Sequence, residues 1–242
     1  MKDLQNNKID FVASTLKGVL GAVPFVGSAI GEAITVFLPE QRMDRFAKYL
    51  QEIGEKVESA HLTDQLLQER LSEIERVELL QEGAIHASRS VSDDRRSYLS
   101  NMVAHGICSE KIDFSEQMHF MRMLSDLTDV EIIILRYYLH DGKDGDQEFR
   151  GRHKPIYDLP LISQDSTKED GERLALQMSY RVHLASLGLL QQTNVIEAHI
   201  DTIRTTDQKS AKYEITDLGG LFLKRIEMDT PFEENPNGSR FF

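Results

Sequence analysis

Between Phe11 and Leu38 the chain runs FVASTLKGVLGAVPFVGSAIGEAITVFL, 28 residues in which Lys17 and Glu32 are the only charges. No other feature constrains the fold as strongly, because a helix that is apolar all round needs a partner on every side, whether a protein core, another copy or lipid. A continuous helix of this length would reach about 42 Å, enough to cross about 30 Å of hydrocarbon even when tilted. Pro24 interrupts that picture. It has no N–H and its ring clashes with the preceding turn, so one kinked helix and a hairpin of two short helices are both open. Pro39 closes the segment.

Gly27 and Gly31 form a GxxxG pair, and Gly18, Gly21 and Ala22 place further small residues one face earlier. Small residues four apart let helix backbones approach closely, a recurrent basis of association in lipid. A wholly apolar surface with such a seam favours a membrane or self-assembly element over the competing reading, a buried hairpin in a soluble core. Lys17 and Glu32 would line a water-filled path or its mouths in the first case and snorkel to the surface in the second.

The remaining composition narrows the setting. A length of 242 residues supports real cores without disulfides, and the single cysteine, Cys108, predicts a reducing, intracellular compartment. Mixed charges before the apolar run (Lys2, Asp3, Lys8, Asp10) do not match a secretory signal, so the segment is expected to stay on the mature protein. The expected location is the cytoplasmic side of the inner membrane, or the cytoplasm until activation. A net charge of −12 repels nucleic acid and anionic lipid at long range, so any such contact must be local.

The expected fold is mainly α, in four parts. Residues 1–40 form the apolar membrane or assembly segment. Residues 41–126 form a helical domain. Its first helix starts at Glu40 with Met43, Phe46, Leu50, Ile53 and Val57 on one face, and a second, capped by Thr63, carries the stripe Leu66, Leu67, Leu71, Ile74, Val77 and Leu80. Ser92 caps a third helix and Ser115 opens a fourth. Residues 127–228 begin with a capping box of Thr128 and Glu131, then a polar loop, GKDGDQEFRGRHKP. A helix from about Lys168 to Leu187 ends at Gly188. Short strands follow at LLQQTNV, AHIDTIRTT and KYEIT around a polar turn at Asp207 to Ser210, and Thr216 and Asp217 cap a last helix. Residues 229–242 are expected to be a flexible tail.

SYRVHLASLGLL (Ser179–Leu190) and the stretch Tyr213–Leu223 carry a resemblance to the winged helix-turn-helix family over roughly residues 127–227. That resemblance implies a C-terminal winged-helix-like domain with a small antiparallel sheet, and nucleic-acid binding by its third helix and wing. The residues it nominates are Arg173, Gln177, Arg181 and His183 on the helix, and Arg204, Lys209 and Lys212 on the wing. Residues 126–242 hold fourteen Lys or Arg against twenty-one Asp or Glu, a net of −7. That is a poor footprint for duplex DNA, whose binding is dominated by phosphate neutralisation, and it points instead to a small or single-stranded ligand or to protein docking. The densest basic cluster is Arg150, Arg152, His153 and Lys154, beside Phe149 and Tyr157. Guanidinium groups next to aromatics suit phosphates and a stacked base, while Asp144, Asp146 and Glu148 offer compensating charge for a merely solvated loop.

No catalytic chemistry is legible. HExxH, CxxC and the Lys-Ser/Thr ending of a phosphate loop are all absent from the sequence, and Asp93 and Asp94 sit at a helix start, where the dipole accounts for them. No cofactor, metal or catalytic residue is expected. The whole-chain order of apolar glycine-rich start, helical middle and winged-helix-like end resembles the HalA-type membrane effectors of the Hailong antiphage-defence system. What the resemblance implies is a homo-oligomer, favoured as a tetramer, whose N-terminal helices permeabilise the membrane as an ion channel during abortive infection. A bound single-stranded DNA oligomer would hold it inactive. The alternative is a soluble winged-helix DNA-binding regulator or adaptor whose N-terminal hairpin drives oligomerisation.

Overall fold

Residues 40–139, 146–160, 166–194 and 211–229 are described by a computed structural model. Among them, 40–126 with Arg225–Glu227 form one unit, and Leu127–Lys224 with Met228 and Asp229 form another. The elements are mainly helical, with one small antiparallel sheet near the C-terminus. The N-terminal apolar segment and the Asp207 to Ser210 turn lie outside the described residues.

In the first unit α1 (Glu40–Ser59) turns Phe46, Tyr49, Leu50, Ile53 and Val57 inward, the three- and four-residue steps of its sequence. It packs along α3 (Ile74–Arg89) and α4 (Asp93–Cys108), which bury Leu79, Leu80, Met102, Val103 and Ile107. Each such side chain contributes on the order of 2 kcal/mol by leaving water. A polar tie crosses the same face. Glu52 accepts from Arg96 at 2.8 Å and from Ser100 at 2.9 Å. Burial works against the Arg96 charge, and the hydrogen bonds to Glu52 and Asp93 outweigh it.

The expected single helix after Thr63 is two. Thr63 caps α2 (Asp64–Leu71), accepting from Leu66 N at 3.3 Å. The chain then leaves the helix at Ser72 and re-enters as α3 with Glu73 extended at its start. The continuous apolar stripe concealed this break. Ile74 is 74 % exposed, and Arg76 takes the buried place. The fourth helix, α5 (Phe114–Asp126), is capped by Asp113, which accepts from Glu116 N at 3.0 Å, rather than opened by Ser115. Ser92 caps α4 as expected. At the far end of the chain, Asn101 donates to the Ile226 carbonyl at 2.8 Å, and Lys56 pairs with Glu227 at 3.0 Å.

The second unit starts with the capping box, Thr128 and Glu131 bonding reciprocally ahead of α6 (Asp129–Leu139). Residues 147–155, expected as loop, belong to helix α7 (Gln147–Tyr157), despite Gly151 and the internal Pro155. α8 (Lys168–Ser186) opens on a second capping box, Thr167 with Asp170. It ends where Gly188 adopts φ +75, a left-handed turn that only glycine enters without strain. β1 (Leu190–Asn194) pairs antiparallel with β2 (Ala211–Ile215), Leu190 opposite Ile215. α9 (Asp217–Arg225) follows, with Thr216 Oγ1 accepting from Gly219 N at 3.0 Å. α6 sits at the centre of this unit against α7, α8 and β2, burying Ile132, Ile134, Leu135, Phe149, Leu184 and Phe222.

Candidate functional site

The basic cluster FRGRHK lies on α7, and its surroundings are set by the end of that helix. The last carbonyls of any helix lack intrahelical partners and carry a partial negative charge. Here they belong to Pro155, Ile156 and Tyr157. α8 supplies one donor to each. Arg173 reaches the Pro155 carbonyl at 2.8 Å, Gln177 the Ile156 carbonyl, and Arg181 the Tyr157 carbonyl at 2.7 Å. Spacing by four residues puts these three side chains on one face of α8. Arg181 is 1 % exposed and also binds the Tyr138 hydroxyl at 2.9 Å and both oxygens of Gln177. Three of the four residues nominated as a recognition face therefore hold α7 in place.

The aromatic groups are engaged in the same way. Tyr137 and Tyr157 stack at 4.1 Å, and the Arg150 guanidinium lies 4.4 Å over the Tyr137 ring while donating to the Tyr137 carbonyl at 2.9 Å. Burial raises the Tyr157 hydroxyl pKa against the pull of Arg150, keeping it a donor to the Arg150 carbonyl at 2.8 Å. His153 Nδ1 lies 2.9 Å from the Phe149 carbonyl. Beneath the cluster, Arg136 and Asp146 form a buried ion pair at 3.1 Å, with Arg136 4.1 Å over the Phe149 ring. On the solvent side of α7 are Arg152, paired with Glu148 at 2.8 Å, and the exposed Lys154.

The outward face of α8 carries two large apolar side chains. Leu176 and Val182 are 53 % and 56 % exposed, with the exposed Ser179 between them. His183 pairs with the buried Glu131 at 2.6 Å, and on the sheet Lys212 pairs with Glu214 at 3.0 Å. Arg204 and Lys209 lie outside the described residues, as do Lys17, Gly18, Gly21, Ala22, Pro24, Gly27, Gly31 and Glu32. The structure thus brings Arg150, Arg152, His153, Lys154, Arg173 and Arg181 into one neighbourhood, where Arg152, Lys154 and Arg173 are exposed.

A second concavity was not nominated from the sequence. It is a cavity of about 220 Å³ in the first unit, whose lining includes His86, Arg89, Ser90, Arg95 and Ser125. The lining comes from three helices and a turn. Only the local run HASRSVSDDRR hinted at it.

Among the described residues no three His, Cys, Asp or Glu side chains are placed to hold a metal ion, and no helix is long and apolar enough to cross a membrane. Burial raises the pKa of the half-buried Cys108 thiol, against the opposing pull of Arg70 and Arg76. Fold and site together define a mainly helical protein of two units, the second closed by a two-stranded antiparallel sheet. No family model matches the chain, and it has no match among curated proteins or solved structures.

Proposed function

We propose that this chain is an oligomeric membrane-permeabilising effector of the HalA type, an antiphage ion channel held inactive by a bound single-stranded DNA oligomer. The observation that carries the reading is the Phe11–Leu38 segment, with fourteen uncharged residues between Lys17 and Glu32 and a GxxxG pair within it. A tetramer at the cytoplasmic face of the inner membrane would surround a pore with these segments. The helix order α6, α7, α8, then the β1–β2 hairpin and α9, supports a winged-helix-like second unit. Arg152 and Lys154, outward on α7 near the Tyr137–Tyr157 stack, are its best phosphate contacts. A ligand that closes the channel must bind the closed state more tightly, by about 1.4 kcal/mol for each tenfold shift in population.

Membrane flotation and dye release test this reading. The full chain should float with vesicles and release dye, and a chain lacking residues 1–40 should do neither. Equal behaviour of the two sinks it. Gly27→Leu with Gly31→Leu should reduce leakage by loosening close helix packing. Arg152→Glu with Lys154→Glu should weaken oligonucleotide binding without loss of fold, a cleaner test than reversing Arg150, which is engaged with Tyr137.

One observation favours a second reading. The exposed apolar pair on α8, Leu176 and Val182, suits a protein partner better than a phosphate backbone. A soluble winged-helix adaptor would therefore be preferred if no oligonucleotide shifts the melting temperature and the full chain stays free of vesicles.

A further inference from the structure

We propose that the cavity among α3, α4 and α5 of the first unit binds a phosphate group, either inorganic phosphate or the head of a phosphate monoester. The site is separate from α7 and α8 and does not depend on the channel reading.

The chain carries a net charge of −12, so its general field repels anions and an anion site must be built locally. This cavity is built that way. Among the described residues, three that line it are basic, His86, Arg89 and Arg95, none is a carboxylate, and the Ser90 and Ser125 hydroxyls donate to the His86 and Met121 carbonyls. Leu99 and Leu124 add an apolar wall. An apolar wall lowers the local dielectric and strengthens each charge–charge contact. At about 220 Å³ the cavity is smaller than the roughly 300–1,000 Å³ of sites for drug-sized ligands, which fits an anionic head with the rest of the molecule outside.

The internal bonds set the available groups. Arg95 is oriented by donating to the Leu124 carbonyl at the end of α5. Arg89 is exposed and has no ion-pair partner among the described residues, leaving its planar fork open to a bidentate oxyanion contact. Ser125 Oγ donates to the Met121 carbonyl at 2.9 Å and lies 3.1 Å from His86 Nδ1. Of the two acids that open α4, Asp93 is committed to Arg96 at 2.7 Å, and Asp94 directly precedes Arg95 in the chain.

The charged groups around His86 are Glu82 and Arg89 on α3 and Arg95 on α4; α5 contributes Ser125 and Leu124. Burial pushes the His86 pKa down, Glu82 opposes that and Arg89 adds to it, which favours the neutral imidazole. A bound anion favours the imidazolium, so binding should take up a proton and strengthen as pH falls.

Calorimetric titration of the full chain with inorganic phosphate, AMP and vesicles of phosphatidylcholine containing phosphatidic acid tests the proposal. Binding of phosphate or AMP, weakened roughly tenfold or more by Arg89→Glu at unchanged melting temperature, is the expected result. Binding of the vesicles alone, lost in Arg89→Glu, identifies the source as a lipid head and keeps the phosphate chemistry. Sulfate, which does not titrate near neutrality, isolates the histidine. Its affinity should rise from pH 8 to pH 6 in the parent and stay flat in His86→Gln. No binding of any of the three probes, or affinities indifferent to Arg89→Glu, overturns the site.

Discussion

Arg76 in the first unit and Arg181 in the second are both 1 % exposed, and both close the carboxyl end of a neighbouring helix. Arg76 donates to the Gly106 and Ile107 carbonyls at the end of α4 and to the Glu110 carbonyl beyond it. Arg181 donates to the Tyr157 carbonyl at the end of α7 and to Gln177 and Tyr138. They differ in counter-charge. Arg76 has Glu73 at 2.8 Å, whereas the partners of Arg181 are carbonyls, an amide and a phenol, with the Tyr138 ring 5.9 Å away. Glu73 is itself 47 % exposed, so its charge is largely screened by water. The lesson is that a buried guanidinium can be carried by helix-end carbonyls and the dipole behind them, with the carboxylate secondary.

Removing the guanidinium is the most direct way to break that comparison. Arg76→Ala and Arg181→Ala should each cost about 3 kcal/mol, because buried carbonyls lose their donors and a large side-chain volume empties. Hydrogen exchange should locate the damage separately, at the end of α4 for the first and the end of α7 for the second. Damage spread evenly over both units would refute the local account. Arg181→Lys keeps the charge but loses the fork, and should cost about 1–2 kcal/mol by denaturant titration. If it is neutral, charge alone suffices and geometry does not matter. Arg173→Ala removes an exposed donor from the same helix end and should cost about 0.5–1 kcal/mol. The smallest effect belongs to Glu73→Gln, within about 0.5 kcal/mol. A loss as large as that of Arg76→Ala would make the carboxylate primary after all.

These details explain what could be read from the chain and what could not. Thr63, Ser92 and the Thr128–Glu131 box act through side chains three residues from their targets, so local sequence was enough to place those helix starts. Gly188 was legible because one backbone conformation demands it. The break at Ser72 and Glu73 was hidden because Leu71 and Ile74 continue the apolar spacing, while its cause is remote. Arg70 and Arg76 both reach the end of α4, more than 29 residues away. α7 looked like a loop because Gly151 and Pro155 lower its propensity, and the donors that close its end come from α8. The cluster Arg150–Lys154 was visible as a run of charge, but its engagement with Tyr137, Phe149 and Glu148 was not. The cavity at His86 and Arg89 draws on α3, α4 and α5, so no single stretch announces it.

Arg225–Glu227 belongs to the first unit although nearly the whole second unit precedes it in the chain. On a ribosome, the helices through Asp126 emerge before the residues that finish their unit. At about 5–20 residues per second, the intervening hundred or so residues take about 5–20 s. Throughout that interval Asn101 has no Ile226 carbonyl to donate to, Lys56 has no Glu227, and Glu116 has no Arg225. The contacts that complete the first unit therefore become available only after the second unit has been made, and a chain released at residue 224 would leave all three sites unsatisfied.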